Sequence, residues 1–199
     1  MNSDDPVESE AFRILRSRID LSALPPLSRA VMERVIHATA DFDYVSDLAC
    51  DEGALAAGVL ALRRGVPVVA DVATVAAGVT GDPVICKSAD SLAARLARTA
   101  NITLGAAAVR LAFSEAGPGA IWLVGSAPEA IFEIMGREVE PALVIGVPVG
   151  FVGAAEAKDA LRTAGLPALT NVSEKGGPPV AVAAFGALLK IASRKETPG

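Results

Sequence analysis

The feature that most constrains this chain is an alternation: short, continuously apolar runs rich in β-branched residues recur between longer stretches with helical periodicity. The strand-like runs are residues 66–70, 84–86, 120–124, 142–146 and 168–172, with a further one at 44–48. The helical stretches are 9–19, 27–38, 51–64, 91–98, 103–115, 128–135, 154–164 and 179–191, several opened by Pro or Ser and closed by Gly. Strands that are apolar throughout need covering on both faces. The pattern therefore predicts an α/β fold with a mostly parallel sheet flanked by helices on both faces. Right-handed crossovers then gather the strand-to-helix loops at the carboxyl edge of the sheet, where open α/β folds bind ligands.

At 199 residues with 52% hydrophobic content, the chain can bury a sizeable core within one domain. That domain is expected over 9–193, between polar tails at 1–8 and 194–199. A net charge of -5 argues against nucleic acid, whose phosphates require a basic face. The longest uncharged stretch, 141–155, is 15 residues and holds two Pro and three Gly. That falls short of the roughly 20 apolar residues a membrane span needs, so no membrane partner is expected. The acidic start MNSDDPVESE lacks a signal-peptide pattern. Cys50 and Cys86 form no C-x-x-C, and a single His cannot supply a His-rich metal site. A reducing cytoplasm and no bound metal fit best.

The predicted strand-to-helix loops read DVATVAAG at 71–78, GSAP at 125–128, GVPVGFVG at 146–153 and SEKGGPP at 173–179. Glycine after a strand lets the backbone approach a ligand, and amides at a helix start attract anions. The same glycines also serve tight turns, so no single loop decides between the two. No G-x-G-x-x-G follows the first strand, SEKGGPP is not a P-loop, and no G-x-S-x-G elbow occurs. An unrelated α/β nucleotide-binding module therefore has only the fold in its favour.

His37, in VIHATADFDY, falls in the last turn of the second helix, off the Leu27, Val31, Val35 stripe. The helix dipole and the nearby Asp41 and Asp43 complement an imidazolium there, as a general acid requires. A solvated or helix-capping His is the alternative. The acidic run Asp41, Asp43, Asp47, Asp51 and Glu52 reads as a solvated loop and helix start rather than a metal site.

Several of these segments together resemble the precorrin-8X methylmutase family over nearly the whole chain, from Ala11 to about Ala192. The matching pieces are AFRILRSRIDL at 11–21, VIHATADFDY at 35–44, DVATVAAGV at 71–79, APEAIFEIM at 127–135, PALVIGVPVGFVGAAEAK at 141–158 and GGPPVAVAAFGALL at 176–189. The resemblance implies a cytoplasmic homodimeric isomerase that moves a methyl group from C-11 to C-12 of a corrin-type macrocycle without an added cofactor. His37 matches the family's catalytic histidine, which would protonate the macrocycle. The resemblance further implies a deep pocket at the dimer interface, walled by the four glycine loops. Asp71, Gly78, Gly125, Ser126, Gly150, Lys175, Gly176 and Gly177 are the expected substrate contacts, with loop amides meeting the acetate and propionate arms.

The chain departs from the family pattern where basic or hydroxyl groups would meet those arms. Arg-Ser-Phe is replaced by Glu10, Ala11 and Phe12; Thr-Arg-Ser by Thr103, Leu104 and Gly105; Arg-Arg-Gly-Gly-Ser by Glu174, Lys175, Gly176, Gly177 and Pro178; and the loop Asn by Ser126. Each lost charged hydrogen bond is worth roughly 1.5–3 kcal/mol. Arg16, Arg18, Lys87 and Lys175 are the candidate replacement cations. Two readings follow: a methylmutase with a re-tuned pocket, or a diverged paralogue that binds a less acidic tetrapyrrole without isomerising it.

Overall fold

The computed structural model describes residues 6–81, 83–137 and 139–194. Among them, strands β1 (Leu48–Cys50), β2 (Val68–Ala70), β3 (Val84–Cys86), β4 (Ile121–Val124), β5 (Leu143–Gly146) and β6 (Ala168–Asn171) form one sheet in the order β1-β6-β5-β4-β2-β3. Five strands run parallel, and β1 pairs antiparallel with β6 at one edge. The mostly parallel α/β architecture expected from the alternation is the one found.

The strand pleat sends alternate side chains to opposite faces, and both faces are buried. Ile121, Leu123, Leu143 and Ile145 enter the larger core. It is closed by α1 (Pro6–Arg18), α2 (Pro26–Thr39), α4 (Glu52–Arg63), α5 (Ala73–Gly78) and α10 (Pro178–Ala192). Trp122, Val124 and Val144 enter the second core, beneath α7 (Leu104–Ala116), α8 (Pro128–Gly136) and α9 (Ala154–Thr163). Helix α6 (Ser91–Ala100) packs outside α7 through Ala93, Ala107 and Ala108. Ala181, Ala184 and Ala187 on α10 let that helix lie close along α2.

Three expectations are corrected. Residues 44–48 are not a strand: α3 (Tyr44–Asp47) is a helical turn, and the strand begins only at Leu48. The chain must reverse there from α2 into an edge strand, and an Asp41 side chain accepting the Asp43 amide at 2.9 Å starts that turn. Residues 71–78 are not all loop, because α5 occupies most of them with Val75 fully buried. The N-terminal tail ends earlier than expected, since α1 starts at Pro6, whose fixed φ suits a first helical position. The rest of the two expected tails, 1–5 and 195–199, lies outside the described residues. No helix among the described residues is long and apolar enough to cross a membrane.

Helix α2 begins at a Pro-Pro pair with no side-chain cap of its own. Its first amides are served from α4 instead: the Glu52 carboxylate accepts Leu27 N–H at 2.8 Å, Ser28 N–H at 2.9 Å and the Ser28 hydroxyl at 2.6 Å. Burial pushes the Glu52 carboxyl up, but these bonds outweigh it and hold the group below its ordinary range. Because α2 carries His37, this cap fixes one end of the site's scaffold. Glu52→Ala is expected to lower the unfolding free energy by about 1–2 kcal/mol, read as a shifted urea midpoint at unchanged slope.

Candidate functional site

Since β1 runs antiparallel to its neighbour, the segment entering it, residues 40–47, arrives at the carboxyl edge of the parallel strands. That brings the segment following α2 to the glycine loop after β6, whose Lys175 meets Asp41 and Asp43. His37, half-buried two residues before the helix ends, lies flat against Phe12 of α1, with ring centroids 4.8 Å apart and planes 10° from parallel. The guanidinium groups of Arg16 and Arg34 stand 5.7 and 5.6 Å from the centroid of the Phe12 ring. Both are held by carboxylates, Arg16 by Glu33 in a two-pronged pair and Arg34 by Glu8. The stack sets the plane of the imidazole.

Beside the end of α2, Asp47 organises the loop after β6. Its carboxylate accepts the amides of Val172 at 3.1 Å and Ser173 at 2.6 Å, the Ser173 hydroxyl at 3.0 Å and the Asn171 side-chain amide at 2.9 Å. Burial raises its pKa, yet these four donors hold the carboxyl below its ordinary range. Lys158 of α9 is fully buried beneath the same loop. It donates to Asn171 Oδ1 at 3.0 Å, to the Lys175 carbonyl at 2.7 Å and to the Ser173 carbonyl. Burial pulls its pKa down to about 8, opposed by the charge of Asp47. Three acceptors use all three ammonium protons, so the cage is built for the charged form. Lys175 then reaches outward to Asp41 at 2.7 Å and Asp43 at 2.6 Å, tying the loop to the end of α2.

The second organiser is Asp71, at the end of β2. One oxygen, Oδ2, accepts the amides of Gly125, Ser126 and Ala127 at 3.1, 2.7 and 2.9 Å. Burial pushes this carboxyl up, and the amides of Ala127, Ser126, Gly125 and, least, Val72 only partly offset it. The remaining loops clasp one another: Gly177 N–H donates to Val147 O at 2.8 Å, and Gly150 N–H to Glu174 O at 3.0 Å. Gly176 has φ +142, and a Cβ there would meet Val147 O at 2.2 Å. A Cβ on Gly125 would lie 3.0 Å from the Pro178 backbone, and one on Gly78 would lie 2.6 Å from Val182. These glycines permit close approach of protein to protein.

Two further expectations change on this geometry. The amides of Gly125, Ser126, Gly150 and Gly177 already have protein acceptors, so they are not free to meet ligand carboxylates; the exposed Ser126 hydroxyl is what its loop presents. The acidic run is not a merely solvated loop: Asp41 and Asp43 grip Lys175, Asp47 and Glu52 cap neighbouring segments, and Asp51 caps α4. No cluster of three or more His, Cys, Asp or Glu among the described residues is arranged to hold a metal.

Of the candidate replacement cations, Arg16 pairs with Glu33, Lys87 with Glu115 and Lys175 with two aspartates, which leaves Arg18 outside any ion pair among the described residues. Glu10 forms a two-pronged pair with Arg13 on the exposed face of α1. Around the loops, Val149, Phe151, Val152 and Val172 present apolar surface, Phe151 being 95% exposed. Sequence reasoning missed Asp47, Lys158 and Asn171. For Lys158 a signal existed: it interrupts the apolar stripe Ala154, Ala157, Leu161. Asp47 and Asn171 meet only through the antiparallel pairing.

The family model for precorrin-8X methylmutases matches residues 6–191. Among curated proteins, the chain is 36% identical to the cobalt-precorrin-8 methylmutase of Salmonella typhimurium over 195 residues, covering 92% of this chain and 93% of that one. It is 35% identical to the precorrin-8X methylmutase of Pseudomonas aeruginosa over 191 residues, covering 90% and 91%. Among solved structures, precorrin-8X methyl mutase from Thermus thermophilus superposes with a TM-score of 0.85 at 35% identity, covering 94% of this chain and 95% of that one.

Lys158→Met removes the donor from three buried acceptors. It is expected to cost about 3 kcal/mol, measured by thermal or urea unfolding. For Asp47 the folded pKa is depressed, so its stabilisation is complete above the unfolded pKa, near 4, and is lost as pH falls through the lower folded value. Asp47→Asn is therefore less stable than the parent by about 1–3 kcal/mol at pH 7, and the deficit shrinks as both are titrated below about pH 4.

Proposed function

This chain belongs to the precorrin-8X methylmutase family, and on that premise we propose that it performs the family's methyl shift with His37 as general acid. It is an isomerase of cobalamin biosynthesis, an intramolecular transferase. The methyl on C-11 of precorrin-8X, or of its cobalt form, moves to C-12 and yields hydrogenobyrinate or cobyrinate. The C-11–methyl bond breaks and the C-12–methyl bond forms. A proton donated by His37 draws electron density through the conjugated ring during the shift and returns to the imidazole afterwards, so nothing is gained or lost overall.

The observation that carries this reading is the placement of the chain's single histidine. His37 is held flat on Phe12 in the last turn of α2, just before the segment whose Asp41 and Asp43 grip Lys175 of the glycine loop after β6. The apolar surface of Val149, Phe151 and Val152 suits the flat face of a macrocycle and, beside it, a second protomer. A homodimer that encloses the substrate between such surfaces belongs to this reading, as do a cytoplasmic location and catalysis without an added cofactor. With the amides of Gly125, Ser126, Ala127, Gly150 and Gly177 engaged by protein, the carboxylate arms of the ring would be met chiefly by side chains: the Ser126 hydroxyl, Lys175 at its aspartate pair, and cations along α1. Asp71, Gly78, Gly125, Gly150, Gly176 and Gly177 then act by shaping the wall rather than by donating to the arms.

Mixing the purified protein with precorrin-8X and following the visible spectrum tests this reading. Conversion to the corrin-like product is expected, slowed by about 10²–10⁴-fold in His37→Ala with an unchanged circular-dichroism spectrum. Undiminished turnover in that variant would refute the general-acid role. Tight binding without conversion by the parent protein would instead favour the paralogue reading, for which exposed Leu104 and Glu174 in place of basic residues are the structural motive.

A further inference from the structure

Among the described residues, two buried side-chain polar atoms make no hydrogen bond: Oδ1 of Asp71 and Nε1 of Trp122. Asp71 is 7% exposed and Trp122 is 2% exposed. The two side chains leave the sheet on the same face. Trp122 stands opposite Val69 in the β2–β4 register, and Asp71 lies two residues beyond Val69. Both line one small internal cavity, otherwise walled by apolar and alanine side chains such as Val69, Val109, Val124 and Ala130. It offers about 10 Å³ to the centre of a water molecule.

The chemistry of the two orphaned atoms is complementary but does not meet. An indole N–H only donates, and a carboxylate oxygen only accepts. Leaving both unpaired in a dry interior costs more than ordering one water between them. The space matches one molecule, the least a cavity needs to be hydrated. We propose that a single internal water occupies this cavity, accepting the Trp122 Nε1–H and donating to Asp71 Oδ1, and that Trp122 is thereby a positioning residue for the 125–127 loop.

The consequence runs through the other oxygen of the same carboxylate. Oδ2 holds the amides of Gly125, Ser126 and Ala127, and a carboxylate anchored at one oxygen cannot swing the other away. The water's donation also favours the ionised form, against the burial that pushes this carboxyl up. The indole thus reaches the candidate site at two removes, from the opposite face of the sheet to His37. That this loop belongs to the substrate wall rests on the functional reading above; the water and its effect on the loop do not.

The test needs no substrate, so it stands or falls separately from the isomerase reading. A crystal structure that orders internal waters is expected to show one water within roughly 3.2 Å of both atoms. The chain's single tryptophan gives one indole N–H signal in solution, and that signal is expected to show a cross-relaxation peak to bound water. In Trp122→Phe, which keeps a ring in place but removes the donor, the amides of Ser126 and Ala127 are expected to exchange with deuterium about tenfold faster, while those of β5 keep their protection. An empty cavity, or a direct indole–carboxylate bond with no water between, would overturn the proposal. Unchanged exchange at Ser126 and Ala127 in a folded variant would overturn the positioning role. If the variant does not fold, the water density and the indole signal of the parent protein decide alone.

Discussion

A buried carboxylate on a four-residue helix holds the site together. Asp47 binds the loop after β6 through four donors, and it can do so because β1 enters the sheet against the direction of its neighbours. Without that reversal the segment after α2 would enter the sheet at a different edge, and Asp41 and Asp43 would not meet Lys175 of the loop after β6. Lys158 completes the arrangement from below with three further bonds. A network of buried charges of this kind, joined through Asn171 and not by direct contact, adds little net stability compared with an apolar core, because desolvation opposes it. Its worth is that it permits one geometry.

The carboxyl edge of the sheet illustrates a constraint common to parallel α/β folds. Every strand there ends in amides that have lost their ladder partners, and these must find acceptors. Here Asp71, Val147 O and Glu174 O take several of them. Beside these engaged amides the loops expose side chains: that of Ser126 and the apolar tips of Phe151 and Val152.

Much of the fold was legible because periodicity reports burial directly. The strand at 84–86 coincides with β3, and the helices fall within a few residues of their expected bounds, since apolar spacing and Pro, Ser or Gly at the ends act locally. Residues 44–48 look like a strand in the sequence because a short turn beside an edge strand has no period to detect. The acidic run looked solvated for a related reason: carboxylates at 41–52 carry no local sign that Lys175, Ser173 and Leu27 will come to meet them. His37 stood out through its place in the last turn of a helix, whereas its stack on Phe12 depends on how α1 crosses α2.

Sequence by itself determined the α/β class, the family, and the chemical identity of the candidate acid, because each follows from patterns written within a few turns of chain. Tertiary structure alone decided which groups are available to a ligand. Whether a loop amide is free or already bound to Asp71, whether a lysine is a ligand cation or a structural bolt, and whether an indole faces a dry wall or an orphaned carboxylate all depend on residues tens of positions apart. Burial and hydrogen bonding are properties of the assembled neighbourhood, and the neighbourhood exists only once the strands have chosen their order.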